Sequence, residues 1–270
     1  MKRRKTRTIH LGGVAIGSGH RISVQSMTKT DTRDAVATIN QIKRLEGMGC
    51  EIIRVAVPDL EAAEALKVIK KHISIPLVAD IHFNYRLALK AIENGADGLR
   101  INPGNIGSRA NVEKVVKAAA DANAPIRIGV NSGSIEKEFK GAIKGEGAEL
   151  VETTAHAMVR SALKYIGILE KLEFHLIKVS LKATDVPTTL RAHELLAKEC
   201  DYPFHIGITE AGTLVTGAVK SAVGISMLLS KGYGDTVRVS LSAPPDREVM
   251  VAHSILRSLG LRERGPEIIS

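Results

Sequence analysis

Short apolar runs rich in β-branched residues return eight times along this chain, at 22–27, 51–57, 77–83, 98–103, 126–131, 177–184, 204–211 and 236–242. Each is followed by a longer segment with apolar residues at helical spacing, such as Ile39, Ile42, Leu45 and Met48, or Val112, Val115, Val116 and Ala119. Strictly alternating strand and helix requires a parallel sheet, because each helix carries the chain back to start the next strand. Eight equal units in a chain of 270 residues close most readily into an α/β fold of the (β/α)8, or TIM barrel, type. An open doubly wound sheet would place a G-x-G-x-x-G turn after its first strand and gather polar residues at one switch point, and neither pattern is present. The expected architecture is a single barrel over residues 21–260 preceded by a β-hairpin over 7–20, where the alternating stretch 9–16 meets Gly17-Ser18-Gly19. The hairpin should cover the bottom of the barrel, and the glycine- and charge-rich segment 133–149 should form a long loop or lid at the top.

Composition narrows the function classes. Hydrophobic residues make up 44% of the chain, enough for a large core, yet no stretch reaches the eighteen or so apolar residues of a membrane span. The start, Met-Lys-Arg-Arg-Lys-Thr-Arg, leads into no signal-peptide apolar segment, so a cytoplasmic protein is expected. Of the net charge of +9, Lys2, Arg3, Arg4, Lys5 and Arg7 supply five, which reads as a basic tail on a mildly basic domain. Base stacking needs aromatic side chains, and 3% aromatic content with no Trp argues against nucleic acid as a partner. Cys50 and Cys200 are isolated in sequence, so neither a zinc nor a cluster site is expected within this chain.

The chemistry lies in the strands. Strands of a parallel barrel are buried on both faces, and charges within them need a reason. Here Arg54 lies in Ile-Ile-Arg-Val-Ala-Val, Arg100 and Asn102 in Leu-Arg-Ile-Asn, Arg127 and Asn131 in Ile-Arg-Ile-Gly-Val-Asn, Ser180 and Lys182 in Val-Ser-Leu-Lys, and Arg238, Ser240 and Ser242 in Val-Arg-Val-Ser-Leu-Ser. A period of two puts Arg127, Gly129 and Asn131 on one face and Ile126, Ile128 and Val130 on the other, so the polar face lines the barrel axis. Against five cations (Arg54, Arg100, Arg127, Lys182, Arg238) the strand ends offer two carboxylates, Asp80 and Glu210, leaving three positive charges that an anionic ligand would balance. Arginine in excess of lysine favours bidentate recognition of phosphate, with Asn102, Asn131, Ser240 and Ser242 as neutral donors. Asp80-Ile81-His82 places a carboxylate and an imidazole on one face, too few for a metal site but suited to substrate contact or proton handling. Glu210 is read in the same way, with the added duty of balancing the arginines.

Read together, these segments resemble the 4-hydroxy-3-methylbut-2-enyl diphosphate synthase family of the non-mevalonate isoprenoid pathway. The resemblance rests on Val24-Gln25-Ser26-Met27-Thr28, Arg54-Val55-Ala56-Val57-Pro58, residues 77–83, Arg100-Ile101-Asn102-Pro103-Gly104-Asn105-Ile106-Gly107, residues 127–134 and Gly207-Ile208-Thr209-Glu210-Ala211-Gly212-Thr213, and runs from about Thr6 to the end. It implies an oxidoreductase that opens 2-C-methyl-D-erythritol 2,4-cyclodiphosphate with two electrons from a [4Fe-4S] cluster, itself reduced by ferredoxin or flavodoxin. It also implies that Arg54, Arg100, Arg127, Lys182, Arg238 and Ser240 hold the diphosphate, that Asn131 makes a further substrate contact, and that the enzyme is a head-to-tail homodimer. In the family a cluster domain with a Cys-Pro-x-Cys-Gly motif follows a stretch like Glu267-Ile268-Ile269-Ser270, and Cys50 and Cys200 match none of its ligands. This chain is therefore expected to bind substrate without holding the cluster or turning over alone. The alternative is a barrel akin to dihydropteroate synthase, which transfers a group from a pterin diphosphate and would want a flat apolar slot.

Overall fold

A computed structural model describes residues 2–263, so the stretch 267–270 lies outside the described residues. Two short antiparallel strands come first, β1 (Ile9–Leu11) and β2 (Val14–Ile16), with Leu11 opposite Val14 and Gly12-Gly13 as the turn. The hairpin thus turns earlier than Gly17-Ser18-Gly19. Gly12 supplies the positive φ, +51°, that a two-residue turn demands, whereas Ser18 is occupied in exchanging hydrogen bonds with Thr6.

Eight strands then pair in parallel: β3 (Ser23–Met27), β4 (Ile52–Ala56), β5 (Leu77–Asp80), β6 (Gly98–Ile101), β7 (Ile126–Asn131), β8 (Ile177–Lys182), β9 (His205–Ile206) and β10 (Thr236–Val237). Their order is β8-β7-β6-β5-β4-β3-β10-β9, and a bridge from Val179 to Phe204 brings the two ends together. The helices that return the chain are α1 (Ala35–Gly47), α2 (Leu60–Lys71), α3 (Tyr85–Glu93), α4 (Arg109–Asp121), the short α5 (Lys137–Lys140), α6 (Gly147–Glu170), α7 (Val186–Leu196), α8 (Leu214–Ser230) and α9 (Pro245–Ser258). This is the (β/α)8 barrel that the sequence pattern calls for. Asp34, Asp59, Asn84 and Asp185 accept backbone N–H bonds at the starts of α1, α2, α3 and α7, which fixes where four of the strand-to-helix loops end. Among the described residues no helix is long and apolar enough to cross a membrane.

Ile126, Ile128 and Val130 pack with the helices in the main core, as the alternation requires. Ile9, Leu11 and Ile16 of the hairpin form a second cluster with Ile52 and Val78 near the starts of their strands, and Leu11 occupies the space that a side chain on Gly98 would need. The bottom of the barrel is sealed.

Three expectations need correction. The basic N-terminus is not a free tail: Arg3 pairs with Asp235, Arg4 donates to the carbonyls of Cys200 and Tyr202 and lies 3.9 Å over the Phe204 ring, and Arg7 pairs with Asp201. The last two strands are far shorter than their apolar runs, because beyond Ile206 and Val237 the chain leaves the ladder. Segment 133–149 is not one open loop: a 3-10 turn at Ser132–Ser134, α5 and the start of α6 occupy most of it, anchored by the buried Ile135 and Phe139.

Candidate active site at the barrel mouth

Register brings the charges together. Asp80 on β5 is opposite Arg100 on β6, Arg100 is opposite Arg127 on β7, and Arg127 is opposite Lys178 on β8. One acid is thus followed by three cations across neighbouring strands, although like charges opposite one another weaken a sheet. Asn131 and Lys182 form the next such pair, nearer the mouth. Gly129 between them has a specific reason: a Cβ there would lie 2.9 Å from Arg100 Nε, so the glycine leaves a channel for that guanidinium. Its N–H donates to Asn102 Oδ1 at 3.1 Å, which places Asn102 as a tie between β6 and β7.

Asp80 is the hub. Its carboxylate lies 3.4 Å from Arg54 Nε and 3.2 Å from Arg100 Nη1, and His82 Nε2 is 3.7 Å away. Burial alone would raise the Asp80 carboxyl, but Arg54 and Arg100 outweigh it and hold the group below its ordinary range. Arg54 also donates to Met27 Sδ at 2.9 Å, and Arg127 donates to Ser180 Oγ. Arg127 keeps Nε and Nη2 without hydrogen-bond partners among the described residues although it is only 4% exposed. Burial and then the neighbouring arginines lower it, yet a guanidinium stays charged, so two of its donors remain unused in the barrel. Lys182 is buried too and has no ion-pair partner among the described residues; burial, followed by Arg238, Arg127 and Arg54, lowers its ammonium strongly.

These groups surround a polar cavity of about 150 Å³ at the mouth. Arg54, Asp80, His82, Arg100, Arg127, Asn131, Lys182 and Arg238 all line it. Three expected residues stand apart from that lining. Asn102 braces the wall, Ser240 is half-buried two residues beyond Arg238, and Glu210 is exposed next to the cavity-lining Thr209 in a left-handed backbone conformation, φ +48°. Glu210 makes no ion pair with the barrel cations, so it does not supply the balancing charge. Glu248, on α9 and 1% exposed, does so instead, 3.5 Å from Arg238.

Glu248, Thr209 and Lys178 are the residues that the sequence reading missed. Thr209 lines the cavity, and only its place beside Glu210 hinted at that. Lys178 was visible as a charge in a strand, on the same face as Ser180 and Lys182. Its Nζ has no hydrogen-bond partner among the described residues, and burial with Arg127 beside it brings its ammonium down to about 7. With Lys178 included, six cations face Asp80, Glu248 and Asp235 among the described residues, and two of these acids are shared, Glu248 with Lys29 and Asp235 with Arg3. A cationic excess in the barrel remains.

Comparison with known proteins follows the same line. The family model described as the GcpE TIM-barrel domain matches residues 6–253. The 4-hydroxy-3-methylbut-2-en-1-yl diphosphate synthase (flavodoxin) of Thermodesulfovibrio yellowstonii is 57% identical over 274 residues, covering 100% of this chain and 75% of that protein. The protein of the same name from Caldanaerobacter subterraneus subsp. tengcongensis is 57% identical over 268 residues, 99% of this chain and 74% of its own length. Among solved structures, dihydropteroate synthase from Stenotrophomonas maltophilia superposes with a TM-score of 0.66 at 13% identity, covering 94% of this chain and 97% of that one; such a likeness concerns the fold alone.

Proposed function

This chain belongs to the GcpE family, and from that membership we propose that its barrel mouth grips 2-C-methyl-D-erythritol 2,4-cyclodiphosphate for the two-electron reductive opening that gives 4-hydroxy-3-methylbut-2-enyl diphosphate in isoprenoid biosynthesis. One observation carries the reading: Arg54, Arg100, Arg127, Lys182 and Arg238 converge on one cavity in which Asp80 is the one carboxylate among the described lining residues, a setting that favours a multiply charged anion. In this reading Arg54, Arg100, Arg127, Lys182, Arg238 and Ser240 hold the diphosphate, and Asn131 contacts the rest of the substrate. Asn102 keeps β6 and β7 in register beneath it. Held at several oxygens, the ring presents its carbon skeleton to the open side of the mouth. Proton handling falls to His82 at the cavity and Glu210 beside it, while Asp80, held as a carboxylate, orients Arg54 and Arg100.

The resemblance also implies a [4Fe-4S] cluster, which takes thiolate ligands. Among the described residues no three His, Cys, Asp or Glu side chains could together hold a metal ion. Cys50 is buried, its thiol pushed up to about 12 by burial, and Cys200 sits beside the docked N-terminus. These residues do not fit the cluster, and no step runs through them. Flavodoxin, which the relatives' names carry, is the proposed electron donor, with ferredoxin as the other carrier of that kind, and a cytoplasmic homodimer is the proposed form. The pterin-transferase reading gains no separate support, since among the residues lining the cavity only His82 carries a ring.

Calorimetric titration of the cyclodiphosphate into the wild type and Arg127→Ala tests the assignment. Losing charge-assisted bonds worth about 1.5–3 kcal/mol should weaken binding roughly 10- to 150-fold. Equal binding by both proteins would overturn it.

A further inference from the structure

The segment 238–242, which carries Arg238 and Ser240, has left the sheet, so something other than a ladder must fix its position. Two ladder-like bonds remain at its ends: Arg238 N–H donates to Ile206 C=O at 3.1 Å and Ser242 N–H to Gly212 C=O at 2.9 Å. Between them, both backbone groups of Leu241 are taken by side chains from distant elements. Its N–H donates to Glu248 Oε1 at 3.0 Å, and its C=O accepts from Lys29 Nζ at 3.0 Å. Lys29 also donates to the Ala243 carbonyl and lies 3.6 Å from Glu248 Oε1, while the other oxygen of Glu248 faces Arg238 Nη2 at 3.5 Å. A single buried carboxylate therefore sets both the backbone that carries Arg238 and the direction of its guanidinium.

We propose that Glu248, backed by Lys29, is a positioning residue for ligand binding: the pair replaces the missing strand ladder and aims Arg238 into the anion site. The proposal rests on the reading of the mouth as a diphosphate site. It separates cleanly from simple electrostatics, because the two predict opposite signs. Deleting a carboxylate beside a cationic cavity should tighten anion binding through the field alone. Deleting a brace should loosen it.

Inorganic pyrophosphate titrated calorimetrically is the probe, with the wild type, Arg127→Ala, Arg238→Ala, Glu248→Gln and Arg238→Ala/Glu248→Gln compared at one pH and ionic strength. The expected result is roughly five- to twentyfold weaker binding by Glu248→Gln, and no further loss from it in the Arg238→Ala background. Tighter or unchanged binding overturns the proposal, as does a loss that simply adds to that of Arg238→Ala. If Arg127→Ala and Arg238→Ala weaken binding while Glu248→Gln does not, the brace alone is wrong; if neither arginine variant has an effect, the diphosphate reading falls and takes the brace with it. Should Glu248→Gln fail to fold, Lys29→Met, altering a side chain 41% exposed, carries the same double-variant comparison.

Discussion

Lys178 lies on the same strand face as Lys182 but deeper in the barrel, opposite Arg127 and with Gln25 on the same small cavity of about 10 Å³. Its charged surroundings are mostly cationic: Arg127 from β7 and Arg54 from β4 lower its ammonium, Asp235 before β10 opposes them, and Gln25 from β3 is neutral. An ammonium there near 7 has a consequence for stability. The folded value lies below the roughly 10.4 of an unfolded lysine. Between about pH 7 and that value the unfolded chain holds a proton that the folded chain lacks, so stability rises with pH across the window and levels off below it. Lys182, lowered for the same reason, adds to the same slope. Thermal melts of the wild type and Lys178→Met from pH 6 to 10 should show a shallower rise in the variant, and identical slopes would refute the assignment. His193, brought to about 4 by burial, acts separately on the acid side, removing stability as pH falls below about 6.5. The arginines of the site were legible in the sequence because charge inside an apolar run is conspicuous. Glu248 was not, since a glutamate in the first turn of a helix is an ordinary solvent-facing residue until tertiary packing buries it.

Among the elements, the N-terminal strap and the two shortest strands belong together. β9 and β10 contribute two residues each to the ladder, and they are the strands that Arg3, Arg4 and Arg7 hold from outside through Asp235, the carbonyls of Cys200 and Tyr202, and Asp201. Arg4→Ala would leave two carbonyls without their charged donor and uncover the Phe204 ring. A loss of about 2 kcal/mol follows, or roughly 4–8 °C in melting temperature, with little change in anion affinity. Calorimetric melting checks this, and an unchanged melting temperature would mean that the strap is decorative. Five cations in seven residues look like a solvated tail because their partners lie about two hundred positions away in the chain. The lengths of β9 and β10 were hidden for a related reason. Alternation reports which side chains face the core, whereas strand length depends on backbone pairing, and past Ile206 and Val237 that pairing passes to Lys29, Glu248 and isolated loop bonds.

At the scale of the whole molecule, the eightfold repeat and the order of the strands were present in the sequence as periodicity alone, and the hairpin beneath them as alternation. What periodicity cannot give is how the charges cancel across the barrel, because that depends on which helix leans over which strand. The hairpin carries a further consequence. With Ile9, Leu11 and Ile16 packed under the strands and Leu11 seated on Gly98, the barrel is a well with a floor and not a tunnel. Whatever enters must leave by the same doorway, and a product that keeps its diphosphate occupies the anchoring place that the next substrate needs. Product inhibition in the complete enzyme should therefore have a competitive component, visible in initial-rate measurements as a rise in apparent KM for the substrate. An apparent KM unmoved by added product would show that the two do not share that place.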